Sequence, residues 1–226
     1  MLKNILLVLY GVLSYLLGFG ILVYMVFWVY PWPFMPNTID TAAVHHNTLL
    51  AAGVDVLLIV LFGLQHSLMV RSSFKTWFNT FVPEVAQRST YTLLSAFFLA
   101  LIIYFWMPVA GQVWHFESGM FFWLFTAVYV IGWSVATLAT FQIDHFELFG
   151  LHQIWRYLKN IPEPEPEFTE KGFYKYVRHP IQSGTMVGLW ATPSMSADHL
   201  LFAGTLTLYI LIGLHYEEKD LVKTLG

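Results

Sequence analysis

Four apolar stretches in this chain are each long enough to cross a lipid bilayer. A spanning helix needs about 20 mostly apolar residues, because each residue advances the helix by about 1.5 Å through a hydrocarbon core of about 30 Å. The first stretch follows only Lys3 and lacks a small-residue cleavage site, so we interpret it as a true span rather than a signal peptide. The predicted spans are Ile5–Tyr30, Thr48–Val70, Ser89–Met107 and Met120–Phe141.

Two shorter apolar segments follow near the end of the chain, at Ile181–Thr192 and His199–Tyr216. The residues between them, 193–198, contain Pro and Ser and are typical of a turn. We therefore predict a helical hairpin that enters the membrane and returns. The fold class is an all-α integral membrane protein with about five to six transmembrane helices, the last two forming the hairpin, in one domain over 1–226.

Composition excludes several classes of protein. Charged residues make up 11% of the chain, whereas a soluble domain carries about a quarter, so an ordinary globule is excluded. The net charge of −3 offers no basic surface for nucleic acid. The chain has no cysteine, which rules out disulfides, thiolate metal sites and cysteine nucleophiles.

The basic residues predict the orientation of the spans. None of the 11 Lys and Arg residues falls in the connections 31–47, 108–119 or 193–198. All of them lie on one side if the chain crosses six times with both termini on that side. Lys and Arg accumulate in cytoplasmic loops, so we expect both termini in the cytoplasm and a multi-pass protein of a cell membrane, in bacteria the inner one.

The segment 142–178 is too polar for the membrane and is predicted to be a cytoplasmic loop. Alternating Pro and Glu at 162–167 block helix formation and favour extended backbone. A short helix is predicted near Leu151–Lys159. Glycine patterns typical of dinucleotide or P-loop sites are absent from the sequence.

Polar residues collect at the predicted cytoplasmic ends of several spans, which indicates a pocket that opens to the cytoplasm. Ionisable groups are costly inside a membrane and by default suggest function. Each also has a structural interpretation: a histidine can bond a neighbouring helix, Arg and Tyr can anchor a span at the headgroups, and an acid beside a histidine can be solvated helix-end charge rather than a proton acceptor. The candidate catalytic residues are His66, Arg88, Tyr91, Asp144 and His145.

The remaining ionisable residues in and near the spans are interpreted as structural or solvated. Asp55 lies in mid-span and needs a partner. His152 is expected to have no special role. No two of the cytoplasmic histidines have the three- or four-residue spacing of helix-borne metal sites, so no metal is expected. The histidines predicted on the outer side and solvated are His45, His46, His115 and His199.

The strongest local motif runs from Gly172 to Gly184 and contains Val-Arg-His-Pro, with Glu217-Glu218 following about thirty residues later. Pro180 suits the first turn of a helix, whose free N–H groups and dipole favour an anion such as a carboxylate. The hairpin returns the two glutamates to the same membrane face. This arrangement could hold a zwitterionic, hydroxyl-bearing ligand.

The pattern Tyr-x-x-Val-Arg-His-Pro-x-x-x-Gly with a downstream Glu-Glu resembles the isoprenylcysteine carboxyl methyltransferase and phospholipid methyltransferase superfamily of membrane enzymes. Three further segments are similar to one branch, the methanethiol S-methyltransferases, which are related to NnrU-like proteins. These segments are Leu64–Arg71, Val82–Tyr91 and Asp144–Gln153.

That resemblance implies S-adenosylmethionine as methyl donor, methanethiol as a small volatile acceptor and dimethyl sulfide as product. It also implies that the last two helices enclose the cofactor. Many superfamily members have Tyr in place of Gln182, and relatives usually continue beyond the Glu-Glu helix with a segment that could complete the pocket. The cofactor-binding residues it implies are Tyr174, Arg178, His179, Pro180, Gln182, Ser183, Gly184, Glu217 and Glu218.

A thiol acceptor reacts as its thiolate, so the site needs a base or a positive environment. Arg88 could supply the positive field, Tyr91 could orient the sulfur, and a nearby histidine or carboxylate could take the proton. Two other interpretations stay open. The acceptor could be a prenylcysteine or a lipid headgroup, or the chain could be a non-catalytic membrane protein of nitrogen-oxide metabolism.

Overall fold

The computed structural model describes residues 1–40, 47–164 and 169–225, with side chains up to residue 219. Helices dominate the described residues. The helices are α1 Leu2–Trp28, α2 Thr48–Met69, α3 Ser72–Phe78, α4 Glu84–Phe105, α5 Met120–Gln142, α6 His145–Leu148, α7 Leu151–Lys159, α8 Pro180–Trp190 and α9 Ala197–Leu225, with a 3₁₀ turn at Gly172–Lys175 and strands β1 Gln112–His115 and β2 Ser194–Ser196.

Five helices, α1, α2, α4, α5 and the Ala197–Lys219 part of α9, are long and apolar enough to cross a membrane. Many of their large apolar side chains point outward, as expected for surfaces that face lipid rather than water. The predicted class, an all-α integral membrane protein with multiple spans, is confirmed. The loop helix predicted at Leu151–Lys159 is found at those residues.

The hairpin differs from its prediction in one respect. Helix α8 has 11 residues and covers only about 16 Å, so it is too short to span the bilayer alone. Residues 191–193 follow without regular structure and lead into β2, which pairs antiparallel with β1. The turn predicted at 193–198 is therefore a buried strand followed directly by α9. The partner strand is far away in sequence, so no local pattern could show this pairing.

Side-chain contacts fix the direction of each helix. Tyr10 bonds Thr90 at 2.8 Å near the start of α1 and α4, and Trp28 meets Trp106 near their ends, so the two helices run parallel. Helix α2 runs antiparallel to α4. The Lys and Arg residues that the structure describes consequently lie at one end of the bundle, which we call the basic end; the other is the opposite end.

Aromatic rings fill the core toward the opposite end. Trp28, Trp106 and Phe202 pack edge to face with ring centroids 5.4–5.8 Å apart. Asp55, the carboxylate interpreted as structural, accepts a hydrogen bond from the Met107 backbone at 2.9 Å, where α4 has just ended. Buried backbone N–H groups need such partners.

One histidine prediction in this region is wrong. His199 was expected to be solvated, but its ring is fully buried and lies 2.9 Å from the Leu189 carbonyl. Strand β2 and the chain around Asp40 cover the start of α9, where Asp40 accepts a hydrogen bond from the Ser196 N–H. His115 keeps a side chain that is 50% exposed, as predicted. His45 and His46 lie outside the described residues.

Candidate functional site

A cavity of about 390 Å³ opens at the basic end, between the end of α2, helix α3, the start of α4 and the chain that follows α5. Three predicted site residues, Arg88, Tyr91 and Asp144, are on its wall. The cavity therefore brings together three of the polar residues that the sequence placed at this end of the spans. The other lining residues are Met69, Val70, Lys75, Phe78, Glu84, Gln87, Ile143, Glu147, Leu148, Gln153 and Glu163.

Arg88 is held in place from two directions. Its Nε–H donates to the Leu148 carbonyl at 2.6 Å, and its guanidinium carbon lies 4.9 Å from the centre of the Tyr91 ring. A guanidinium above an aromatic face is attracted by the ring, and the contact strengthens when water is excluded. Arg88 therefore places a fixed positive charge at the pocket wall rather than only anchoring α4 at the headgroups.

His66 and Tyr91 form a pair across α2 and α4. The Tyr91 hydroxyl lies 2.6 Å from Nε2 of His66, and the two rings are 4.9 Å apart. Ser95, one turn further along α4, lies 3.2 Å from Nδ1 of His66. Ser95 was not among the predicted site residues, because nothing in the local sequence distinguishes it from any other serine in an apolar helix.

The turn between α6 and α7 orients the start of α4. The consecutive carbonyls of residues 148–150 accept hydrogen bonds from Arg88, Thr92 and Ser89. Gly150 permits this close approach, since its φ is +96° and a Cβ there would lie 2.7 Å from the Ser89 nitrogen. The cytoplasmic loop predicted from composition thus acts as a support for Arg88.

Asp144 caps α6 and also contacts the next helix. Its carboxylate accepts from the Glu147 N–H at 3.0 Å and from His152 at 2.6 Å, so His152 has a structural role that we did not expect. Burial opposes ionisation of Asp144, but these hydrogen bonds and the charge of His152 outweigh it and hold its pKa below the ordinary value. One ligand atom from each of Asp144, Glu147 and His152 lies within 4.8 Å of the others, a spacing that can hold a metal ion. Glu147 already forms two hydrogen bonds with Arg156.

His145 points away from the pocket into a cluster of aromatic rings. It stacks on Phe141 with ring centroids 4.2 Å apart and hydrogen-bonds to Thr140 at 2.8 Å and Tyr15 at 3.1 Å. Burial lowers the pKa of His145, while the charge of Asp144 opposes that shift. The structure therefore does not bring His145 together with the other candidate catalytic residues.

The hairpin motif forms a second cluster at the basic end. Glu218 on α9 bonds Nε2 of His179 at 2.6 Å and Arg178 at 2.8 Å. Glu217 lies 3.8 Å from Nδ1 of His179. Burial raises the pKa of the Tyr174 hydroxyl, and the charge of nearby Glu217 raises it further. The hairpin brings these partners into contact although about forty residues separate them in the sequence.

The remaining motif residues lie on the first turns of α8. Pro180 is at the start of the helix and is buried, whereas Gln182 and Ser183 are partly exposed. Gly184 is buried against α5, and a Cβ there would lie 2.6 Å from the Gly132 carbonyl and from the Ala136 nitrogen. The backbone of α5 therefore packs directly on Gly184, which the resemblance had implied as a cofactor-binding residue.

Two contacts connect the pocket to the hairpin cluster. Arg71 follows Val70 of the pocket wall and lies 5.5 Å from the ring of Tyr216, next to Glu217. On the other side, the Phe173 N–H donates to the Gln142 side chain at 2.8 Å, beside Ile143 of the pocket wall. The two groups of residues therefore adjoin at one end of the bundle.

The hairpin residues fit the chemistry of an adenosyl sulfonium carrying an amino acid. Carboxylates suit its hydroxyl and ammonium groups, and the first N–H groups of a helix lack partners within the helix and favour a carboxylate. Glu218 is engaged by both of its neighbours, whereas the Glu217 side chain is 49% exposed and lies farther from His179. Glu217 is therefore the carboxylate more open to a ligand.

These features define a multi-pass helical membrane protein with paired polar sites at one end of the helix bundle. Residues 55–215 match the family model described as NnrU protein. The chain belongs to the NnrU protein family.

Curated relatives cover most of the chain. It is 50% identical over 180 residues to a methanethiol S-methyltransferase of a Pseudomonas species, covering 78% of this chain and 68% of the relative. It is 40% identical over 218 residues to methanethiol S-methyltransferase 1 of Bradyrhizobium diazoefficiens, covering 96% and 76%. It is 37% identical over 228 residues to methanethiol S-methyltransferase of Mycobacterium tuberculosis, covering 99% and 91%. These names support a methyltransferase role. No solved structure is significantly similar to the chain.

Proposed function

We propose that this protein transfers a methyl group from S-adenosylmethionine to methanethiol and releases dimethyl sulfide at the cytoplasmic face of a cell membrane. The observation that carries the proposal is the position of the Arg88–Tyr91–His66 group beside the His179–Glu217–Glu218 cluster at one end of the bundle. The names of the relatives supply the acceptor. The distribution of Lys and Arg favours the cytoplasmic face.

The donor would be held by the hairpin. The start of α8 and His179 would bind its carboxylate, and Glu217 and Glu218 would bind its hydroxyl or ammonium groups. When bound, S-adenosylmethionine supplies a methyl group on a positively charged sulfur. The chain must place the acceptor in line with that methyl and exclude water.

The acceptor would lie in the pocket against Tyr91. Methanethiol is small and apolar enough to arrive from the lipid phase, while the charged donor arrives from the cytosol, and a site at the membrane interface serves both. Arg88 favours the negative charge that develops on sulfur. His66 and Asp144 are the candidate proton acceptors near this wall; His145 is a weaker candidate because its ring lies within the aromatic cluster.

A direct assay tests the proposal. The purified protein in lipid nanodiscs is supplied with methyl-labelled S-adenosylmethionine and methanethiol, and labelled dimethyl sulfide is measured in the headspace. Parallel arms offer a prenylcysteine and phosphatidylethanolamine. Label in the lipid or the prenylcysteine alone would contradict the thiol assignment. Absence of donor binding together with a haem absorption band would favour the non-catalytic interpretation.

Replacing Glu218 with glutamine tests the hairpin as the donor site. The variant removes the negative charge that pairs with His179 and Arg178 and that would bind the donor's hydroxyl or ammonium groups. We expect the Kd for S-adenosylmethionine, measured by calorimetry, to rise about tenfold or more. Glu117→Gln is a matched control, because that side chain is 86% exposed beyond β1. Equal affinity of both variants and the parent would place the donor elsewhere.

A further inference from the structure

The pocket wall presents Tyr91 but not His66 among its lining residues. His66 lies behind Tyr91 on the neighbouring helix α2, and its Nε2 atom is 2.6 Å from the Tyr91 hydroxyl. An acceptor in the pocket therefore meets the phenol before it can meet the imidazole. If methyl transfer to a thiol is the function, as proposed above, the thiol proton must reach a base, and this geometry constrains its route.

The contacts around His66 favour the tautomer with the proton on Nδ1, because Ser95 contacts only that nitrogen and Tyr91 lies nearer to Nε2. The Gln65 amide nitrogen lies 3.1 Å from the sulfur of Met69 and 3.4 Å from Ser95 Oγ, and the amide oxygen, also 3.4 Å from Ser95 Oγ, can accept the Ser95 proton. Ser95 then has lone pairs left to accept N–H from Nδ1 of His66 at 3.2 Å. The Tyr91 hydroxyl lies 2.6 Å from Nε2 and 3.0 Å from Nδ1, so with the proton on Nδ1 the nearer nitrogen, Nε2, is the one that can accept the Tyr91 proton.

Aromatic neighbours hold the imidazole in that orientation. Phe62 stacks on His66 with ring centroids 5.3 Å apart, and Tyr209 of α9 meets it edge to face at 6.5 Å. Tyr209 is itself fixed by a hydrogen bond of 3.1 Å to Ser67. The pair of rings leaves His66 little freedom to swing into the pocket, so its contact with the acceptor runs through Tyr91.

We infer that Tyr91 is the residue that touches the acceptor sulfur and passes its proton to His66, and that Ser95 is a positioning residue that keeps Nε2 ready to receive it. The S–H bond breaks as the thiol proton moves to the Tyr91 oxygen, while the Tyr91 O–H proton moves to Nε2. The products of this step are a thiolate, an unchanged phenol and a protonated His66. The thiolate electron pair then forms the new S–CH₃ bond as the donor's S–CH₃ bond breaks, and the proton leaves later to solvent.

Arg88 supports the same sequence of events. Its guanidinium carbon is 4.9 Å from the Tyr91 ring and favours negative charge on the phenol oxygen or the sulfur during the transfer. Asp144 also lines the pocket, but its carboxylate already accepts from Glu147 N–H and from His152. A competing route through Asp144 would first have to give up those hydrogen bonds.

The test compares two acceptors of nearly equal size and different acidity. Methanethiol must lose a proton at neutral pH, whereas methaneselenol is largely ionised and needs no relay. For Tyr91→Phe we expect kcat with methanethiol to fall about 100-fold, the range of general acid–base catalysis, and kcat with methaneselenol to fall less than about threefold. For Ser95→Ala we expect the same preference, with kcat for methanethiol falling about tenfold. Ser95→Thr, which restores a hydroxyl, should recover most of that loss.

The controls separate this inference from the proposed function. Ser14→Ala removes a fully buried serine whose hydroxyl, within the described part of the chain, bonds its own helix at Tyr10, and it should lower both rates equally or not at all. Equal losses with both acceptors in the Ser95→Ala and Tyr91→Phe variants would overturn the relay. A parent protein that methylates neither acceptor would instead refute the proposed function. If Tyr91→Phe does not fold, the Ser95 pair of variants decides the result.

Discussion

Replacing Gly184 with alanine is expected to cause a large loss of stability, because α8 and α5 touch backbone to backbone at this position. The new Cβ would lie 2.6 Å from both the Gly132 carbonyl and the Ala136 nitrogen of α5. Both are backbone atoms, so the helices must separate. Overpacking of this kind costs about 1–3 kcal/mol, and the apparent Tm should fall by about 5 °C or more.

The same substitution should also weaken donor binding, because Gly184 lies one turn after Pro180 and the displaced helix carries His179 away from Glu218. A thermal shift assay in detergent with and without S-adenosylmethionine measures both effects. Gly204→Ala on α9 is the matched control: no heavy atom lies within 4 Å of its added Cβ, so the Tm should stay level or rise slightly. A Gly184→Ala protein as stable as this control would contradict the close packing of α5 and α8.

Replacing Arg88 with lysine should cause the largest loss of activity that keeps the charge. Lysine carries a point charge on a flexible stem and cannot keep both the bond to the Leu148 carbonyl and the position above the Tyr91 ring. Removing one fixed group that stabilises developing negative charge costs about 10²–10³ in kcat. We expect kcat for methanethiol to fall about 100-fold, with the Kd for the donor changed less than about threefold.

The control for this experiment is Lys159→Arg, a reciprocal exchange on an exposed side of α7 outside the pocket, which should leave kcat unchanged. A donor Kd that rises as much as kcat falls would show that Arg88 acts on the donor or on the fold. Full activity of Arg88→Lys would show that only the sign of the charge matters.

Several features were predictable because they depend on local sequence. Hydropathy identified the long spans, since each must bury its own backbone hydrogen bonds in lipid wherever it packs. The helix at Leu151–Lys159 was visible from its composition. The motif around His179 and Pro180, with the glutamates that follow it, predicted a polar hairpin end, and these side chains do meet.

Other features depend on residues far apart in the chain. The pairing of β1 with β2 needs a partner some eighty residues away, and the burial of His199 follows from that cover. The difference between His66 and His145 is of the same kind. Both are histidines near the ends of spans, yet one lies behind the pocket wall and the other stacks within an aromatic cluster.

The sequence by itself determined that this is a multi-pass membrane protein, where its four longest apolar helices lie and at which end of them its polar residues gather. These properties follow from transfer free energies that each segment carries wherever it is placed. Only the tertiary structure decided that Tyr91 faces the pocket with His66 and Ser95 behind it, and that Leu148 supports Arg88. Those contacts join α2, α4 and the α6–α7 turn, and the direction of a side chain across helices is set by packing.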